Sequence, residues 1–277
     1  MDTFLASQPE TYKQLLKRSI ALYRASFFKT AFLALLIAIL AFLPRLIAES
    51  MDTHLYLTPF PWALQNIGLF LINLIILLIF IAILWHVYCV MRGVHEPLVE
   101  DFTMGVKKLF YALAATIIQN LIIFTLTMMI FGLLLLLSQQ RVLFYPSIMD
   151  ILFTWFIFCA ASLFMFYVIT LFIFLIPCIA IENKGIGAAL ERTIALVWNH
   201  WWRVFSLQIT PWVCYFIIMG IITMILGPYV TPLWISILNL VIFAFFIAWF
   251  AALLLVQLKD LELRKALALK QHDYSYP

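Results

Sequence analysis

Six long apolar runs dictate what this chain can become. They lie near Phe28–Leu43, Leu64–Val90, Leu109–Leu137, Ile151–Ile176, Val204–Leu226 and Leu233–Leu258. A helix needs about 20 apolar residues to cross the hydrocarbon layer, where no water is present to satisfy open backbone groups. The first run is short and is expected to extend inward through Phe27 and outward to Ala48. The second and third are long enough to tilt. Charged residues make up 11% of the chain, against about 25% in a soluble domain. The expected fold is therefore all-α: a polytopic membrane protein with six transmembrane helices and cytoplasmic amphipathic surface helices. Pro177 is expected to end or kink the fourth run, and Pro211 to bend the fifth.

The loops predict orientation. Lys13, Lys17, Arg18, Arg24 and Lys29 precede or open the first run, and Arg92, Lys107 and Lys108 follow the second. Lys184, Arg192 and Arg203 follow the fourth, and Lys259, Arg264, Lys265 and Lys270 follow the sixth. Only Arg45 and Arg141 fall on the other side. Positive charge is retained in the cytoplasm, so both termini are expected there. The net charge of +4 is thus topological, and no nucleic-acid partner is implied. The first run is expected to act as an uncleaved anchor, because mixed residues precede it and no small-residue cleavage site follows. Tyr56, Phe60, Trp62, Tyr229 and Trp234 are expected to form an aromatic belt at the far side. Cys89, Cys159, Cys178 and Cys214 lack metal-knuckle or redox spacing and read as small buried side chains.

Pro177 to Phe205 is the one long polar interruption in the second half. Asn183 to Gly187 reads as a turn. Ile186, Leu190, Ile194, Val197 and Trp201 then recur at helical spacing, with Glu191, Arg192, Asn199 and His200 between them. The spacing predicts a helix lying on a membrane surface, with Trp198, Trp201 and Trp202 in the headgroup layer. A similar helix is expected near the N-terminus, capped by Ser7 with Glu10 at the capping-box position and Pro9 in the first turn. Its apolar stripe, Tyr12, Leu15, Leu16, Ile20, Tyr23 and Phe27, opposes Lys13, Lys17, Arg18 and Arg24. Such a basic face attracts an anionic leaflet.

The two surface helices match at an offset of 174 positions. Leu16, Arg18, Ser19, Ile20, Ala21 and Leu22 align with Leu190, Arg192, Thr193, Ile194, Ala195 and Leu196. Phe27, Phe28 and Lys29 align with Trp201, Trp202 and Arg203. A weaker third copy runs from Phe102 through Gly105, Lys107 and Lys108 to Phe110. This suggests a three-fold parallel repeat of surface helix plus hairpin, over about 7–91, 97–181 and 182–258, with 259–277 as a cytoplasmic tail. The whole forms a single integral membrane domain.

No run carries Asp, Glu, Lys or Arg at its centre, so the usual marks of a proton or ion pathway are missing. Asn73, His86, Gln119, Asn120, Gln208 and Asn239 remain, and amides in lipid generally bond across helices. His86 and Cys89 stand one turn apart without a further ligand at useful spacing. No nucleophile elbow, Walker loop, HExxH or dinucleotide fingerprint is present, so neither enzyme activity nor a cofactor or metal is expected. The residues placed to bind lipid or a partner are Lys17, Arg18, Glu182, Gly185, Glu191, Arg192, Trp198, Trp201, Trp202 and Arg203. Arg192 is expected to reach a lipid phosphate or the Glu182 carboxylate.

Glu182, Asn183, Lys184 and Gly185, followed by Ala189, Arg192, Thr193, Leu196 and Trp198, resemble the signature loop of the YciC-like inner-membrane proteins of Gram-negative bacteria. In that family an acidic residue and a Gly precede a surface helix with an Arg-Ser pair, a Leu and a Trp. Thr193 stands here in place of the Ser. The layout is also similar to membrane domains that accompany some glycerophosphodiester phosphodiesterases, but no catalytic domain of that kind lies in these residues. The resemblance implies a six-span bacterial inner-membrane protein without an assigned active site. The expected function is non-enzymatic binding of anionic lipids or membrane-protein partners in the envelope. The alternative is a transporter or lipid-translocating protein, in one variant an ABC-permease-like subunit.

Overall fold

The computed structural model describes residues 4–6, 8–50, 59–139 and 148–273. These fold into helices and turns, with no strand among the described residues. The helices are α1 (Tyr12–Ser50), α2 (Pro59–Met91), α3 (Leu98–Gln139), α4 (Ile148–Leu171), α5 (Leu175–Glu182), α6 (Ile186–Val197), α7 (Trp201–Leu226) and α8 (Pro232–Asp273). Six helical stretches are long and apolar enough to cross a membrane. The chain is an all-α, multi-pass membrane protein. Ser7, Tyr56 and Arg141, each given a role above, lie outside the described residues.

The polar surface helix expected at the N-terminus is continuous with the first span. α1 runs unbroken from Tyr12, and its cap is Thr11 rather than Ser7. Thr11 N–H and Thr11 Oγ1 both donate to Gln14 Oε1 at 2.8 Å. This is the half of a capping box in which the Gln side chain reaches back to the cap N–H, one turn after the Ser7 and Glu10 pattern. Pro9 and Glu10 therefore precede the helix. α3 likewise starts straight after Pro97 and absorbs the segment from Phe102 to Phe110. α8 continues through the charged residues after Leu258.

The fourth span breaks upstream of Pro177. α4 stops at Leu171, residues 172–174 form a turn, and α5 resumes at Leu175. A proline lacks the N–H that would bond the carbonyl four residues back, and its ring crowds that carbonyl. Pro177 thus sits in the first turn of α5, where its missing donor costs little. Pro211 falls inside α7, which stays helical on both sides. The Tyr12 hydroxyl donates to Ser206 O at 3.0 Å one turn before it.

α1 makes its most extensive contacts with α8 and then with α2, which also packs on α3. Small residues permit this closeness where lipid supplies no hydrophobic drive between helices. Ala34 and Ala38 of α1 and Ala248, Ala251 and Ala252 of α8 are fully buried. At Gly105 a Cβ would come 3.0 Å from Leu78 O, so α3 crosses α2 at backbone range. The buried core gathers at the end of the bundle where α1, α3 and α7 begin and α2 and α8 end. The far halves of α3, α4 and α7 expose Phe124, Met129, Phe156, Phe158, Phe216 and Met224, an apolar surface suited to lipid.

Candidate functional site

The charged and titratable groups of the core end form two clusters and one buried pair. In the first cluster, Asp260 of α8 is completely buried. Arg264 Nε donates to its Oδ2 at 2.9 Å, and Arg203 Nε and Nη2 at 3.3 and 3.2 Å. The backbone N–H of Glu10 donates to Asp260 Oδ1 at 2.8 Å. Arg264 and Arg203 both return to the Glu10 carbonyl. The Glu10 carboxylate pairs with Arg18. Burial pushes the Glu10 carboxyl above its ordinary range, the Arg18 guanidinium works against that shift, and the Asp260 carboxylate adds to it. Arg18 and Arg203, named from sequence, are thereby brought into one network with Glu10, Asp260 and Arg264.

The second cluster centres on Arg192. Asn183 ends α5 in the left-handed conformation at φ 56°, a geometry Asn tolerates better than most residues. Gly185, N-cap of α6, has an ordinary extended backbone at φ −65°, so the turn's special conformation belongs to Asn183. Gly187 is already helical. The turn sets Glu182 beside α6, whose Arg192 lies 3.5 Å from Glu182 and 3.6 Å from Glu262 of α8. Lys184 holds Glu182 at 3.1 Å and Lys259 holds Glu262 at 2.8 Å. Lys108 Nζ donates to Asn183 Oδ1, linking α3 to the same turn. Glu191 is exposed and makes no ion pair among the described residues.

The pair is His86 of α2 and Asp101 of α3. Nδ1 and Oδ2 are 2.9 Å apart, and both side chains are almost wholly buried. Asp101 stands in the first turn of α3, where a negative charge is favoured. Beside it, Trp85 Nε1 donates to Glu96 Oε2 at 2.8 Å and Lys29 Nζ to Glu96 O at 2.6 Å. Among the described residues no three His, Cys, Asp or Glu lie close enough together to hold a metal.

Trp198 and Trp202 are exposed, while Trp201 is partly covered by Tyr167 and stacks on Phe205 at 5.2 Å. Lys13, Lys17 and Arg24 are exposed on α1 and have no ion-pair partner among the described residues. Two polar pairs bond across helices: the amides of Gln208 and Gln257, and Tyr215 Oη, which donates to Asn239 Oδ1. Asn73 donates to Leu69 O of its own helix. It lines, with Thr116 and Asn120, a cleft of about 620 Å³ between α2, α3 and α5.

Sequence reasoning counted Lys259 and Arg264 only as topological charge and assigned no role to Asp101, Asp260 or Glu262. A readable signal existed in α8. Lys259 and Glu262 are three apart and Asp260 and Arg264 four apart, spacings that bring side chains together on a continuing helix. No family model, curated protein sequence or solved structure matches this chain.

Proposed function

We propose that this multi-pass protein is a non-enzymatic component of a bacterial inner membrane, YciC-like in character. In this reading it binds anionic lipid headgroups and membrane-protein partners at a cytoplasmic end. The carrying observation is the contrast between two sets of cations. Arg18, Arg192 and Arg203 are held by carboxylates of the chain itself. Lys13, Lys17 and Arg24 are exposed and unpaired among the described residues, at the same end as the exposed Trp198 and Trp202. Unpaired cations beside half-wet indoles suit an anionic headgroup layer. The expected repeat fits the same reading. Ser19 and Thr193, equivalent positions, are both fully buried, and Arg18 and Arg192 each reach a glutamate that precedes their helix. Extraction from native membranes followed by analysis of retained lipid tests the proposal. Enrichment of phosphatidylglycerol over bulk composition is expected, and retained lipid of bulk composition rejects it. Reporter fusions at Met1 and Pro277 test the orientation, and an active alkaline-phosphatase reporter at either end rejects it.

The cleft holding Asn73, Thr116 and Asn120 favours a second reading, passage of an amphipathic substrate. Proteoliposomes that move a fluorescent lipid between leaflets faster than protein-free vesicles would establish it, and equal rates would remove it.

A further inference from the structure

α1 and α8 leave an open groove of about 450 Å³ on the spanning surface, near the core end of the bundle. Its walls are Ile20, Tyr23 and Phe27 of α1 and Phe245, Phe246 and Trp249 of α8. Phe27 and Phe245 stack at 5.8 Å, and Trp249 Nε1 is anchored 3.1 Å from Ser19 Oγ. These contacts hold the rings in place, so the groove exists before anything enters it. Ile20 and Phe245 are 38% and 42% exposed, which leaves apolar wall open to the surroundings.

Arg24 lies on the rim of this groove and is exposed. Lys17 is seven residues earlier and Lys13 eleven, so all three cations share one stripe of α1. Helical side chains lean toward the N-terminus, which carries the Arg24 guanidinium up the groove toward Lys17 and the headgroup layer. The distance along the axis from Phe27 to Lys17 is about 15 Å. Tyr23 Oη adds a buried hydroxyl without a hydrogen-bond partner among the described residues. The surface therefore presents an aromatic slot with uncompensated positive charge at its rim.

We propose that this groove seats an acyl chain of an anionic phospholipid whose phosphate is held by Arg24, with Lys17 as the second cation. The proposal rests on the reading of the core end as the side facing an anionic leaflet, and adds to it one defined site. A molecule with a long apolar chain and a negatively charged phosphate complements both halves of the groove at once. A neutral lipid fills only the lower half, and a soluble anion only the upper.

Native mass spectrometry of the full chain in mild detergent, titrated with phosphatidylglycerol or phosphatidylcholine, tests the proposal. Each basic residue near an anionic headgroup contributes roughly 1 kcal/mol, about fivefold in affinity. Arg24→Gln is expected to weaken the first phosphatidylglycerol adduct about fivefold. Ile20→Trp, which fills the slot, is expected to abolish that adduct. Lys107→Gln removes an exposed cation from α3, which does not line the groove, and is expected to leave it unchanged. All three positions are exposed, and thermal unfolding of each variant verifies that the bundle is intact. Equal weakening by Arg24→Gln and Lys107→Gln, or undiminished binding by Ile20→Trp, overturns the groove site while the broader reading stands. No preference of the wild-type chain for phosphatidylglycerol over phosphatidylcholine overturns both.

Discussion

The backbone N–H of Glu10 donates to Asp260 Oδ1 at 2.8 Å, across 250 positions of sequence. The segment before α1 is thus tied to the end of α8 and, through Arg203, to the start of α7. Asp260 is 0% exposed, and two guanidiniums and a backbone amide surround its carboxyl group. Removing one partner of a buried ion pair typically costs about 3–5 kcal/mol, because the remaining charge is left uncompensated. Asp260→Ala is therefore expected to lower the unfolding temperature in detergent markedly, and Asp260→Asn by less, since it keeps an acceptor for the Glu10 amide. An unfolding temperature unchanged in the Ala variant would reject this account of the knot.

The Glu10 carboxyl gives this knot a pH dependence. Burial raises its folded-state pKa above the ordinary carboxylate value. The folded form then binds the proton more tightly than the unfolded form does. The stability penalty is absent below the ordinary value and complete above the raised one, so stability falls as pH rises through that window. Glu10→Gln keeps the backbone contacts and removes the titration. Unfolding temperatures measured across the window are expected to decline in the wild type more than in Glu10→Gln, and parallel profiles would refute the assignment.

His86 and Asp101 join α2 to α3 inside the core. His86→Ala leaves the buried Asp101 side chain without its neighbour and opens a cavity, and is expected to destabilise by about 2–5 kcal/mol. His86→Leu combined with Asp101→Leu replaces both members by apolar groups and is expected to recover much of that loss. The readout is again thermal unfolding, and a double variant no better than the sum of its parts would show that the two side chains do not act as a pair.

The six spans were legible because each is a long apolar run, a signal that survives any uncertainty about its ends. The turn at Asn183 and the helix from Ile186 were legible for local reasons, a residue tolerant of positive φ followed by clear periodicity. The start of α1 was misplaced although Thr11-x-x-Gln14 spells a capping box, because Ser7 and Glu10 offer a similar pattern nearby. The partners of Asp260, Asp101 and Glu262 were not legible. Local pattern shows that an aspartate follows an apolar run, but which arginine meets it depends on how α1, α7 and α8 pack. The same holds for Gln208 with Gln257, whose positions on separate helices carry no mark of their pairing.

Arg192 spans two carboxylates on different helices, Glu182 at the end of α5 and Glu262 on α8. The planar guanidinium carries several donors and can address both, whereas a lysine ammonium is a compact charge on a flexible stem. Lys184 and Lys259 already attend the two carboxylates separately, so the distinctive contribution of Arg192 is the link between α5 and α8. Its side chain is about a quarter exposed, which weakens each contact by solvent screening. Arg192→Lys is expected to keep insertion and topology but loosen that link, and Arg192→Ala to loosen it further. Hydrogen exchange at the amides of α6 reports the change directly, because α6 is pinned to α8 through this side chain. Faster exchange in the order wild type, Lys, Ala is expected. Protection in the Lys variant equal to wild type would reduce Arg192 to one more positive charge at the core end of the bundle.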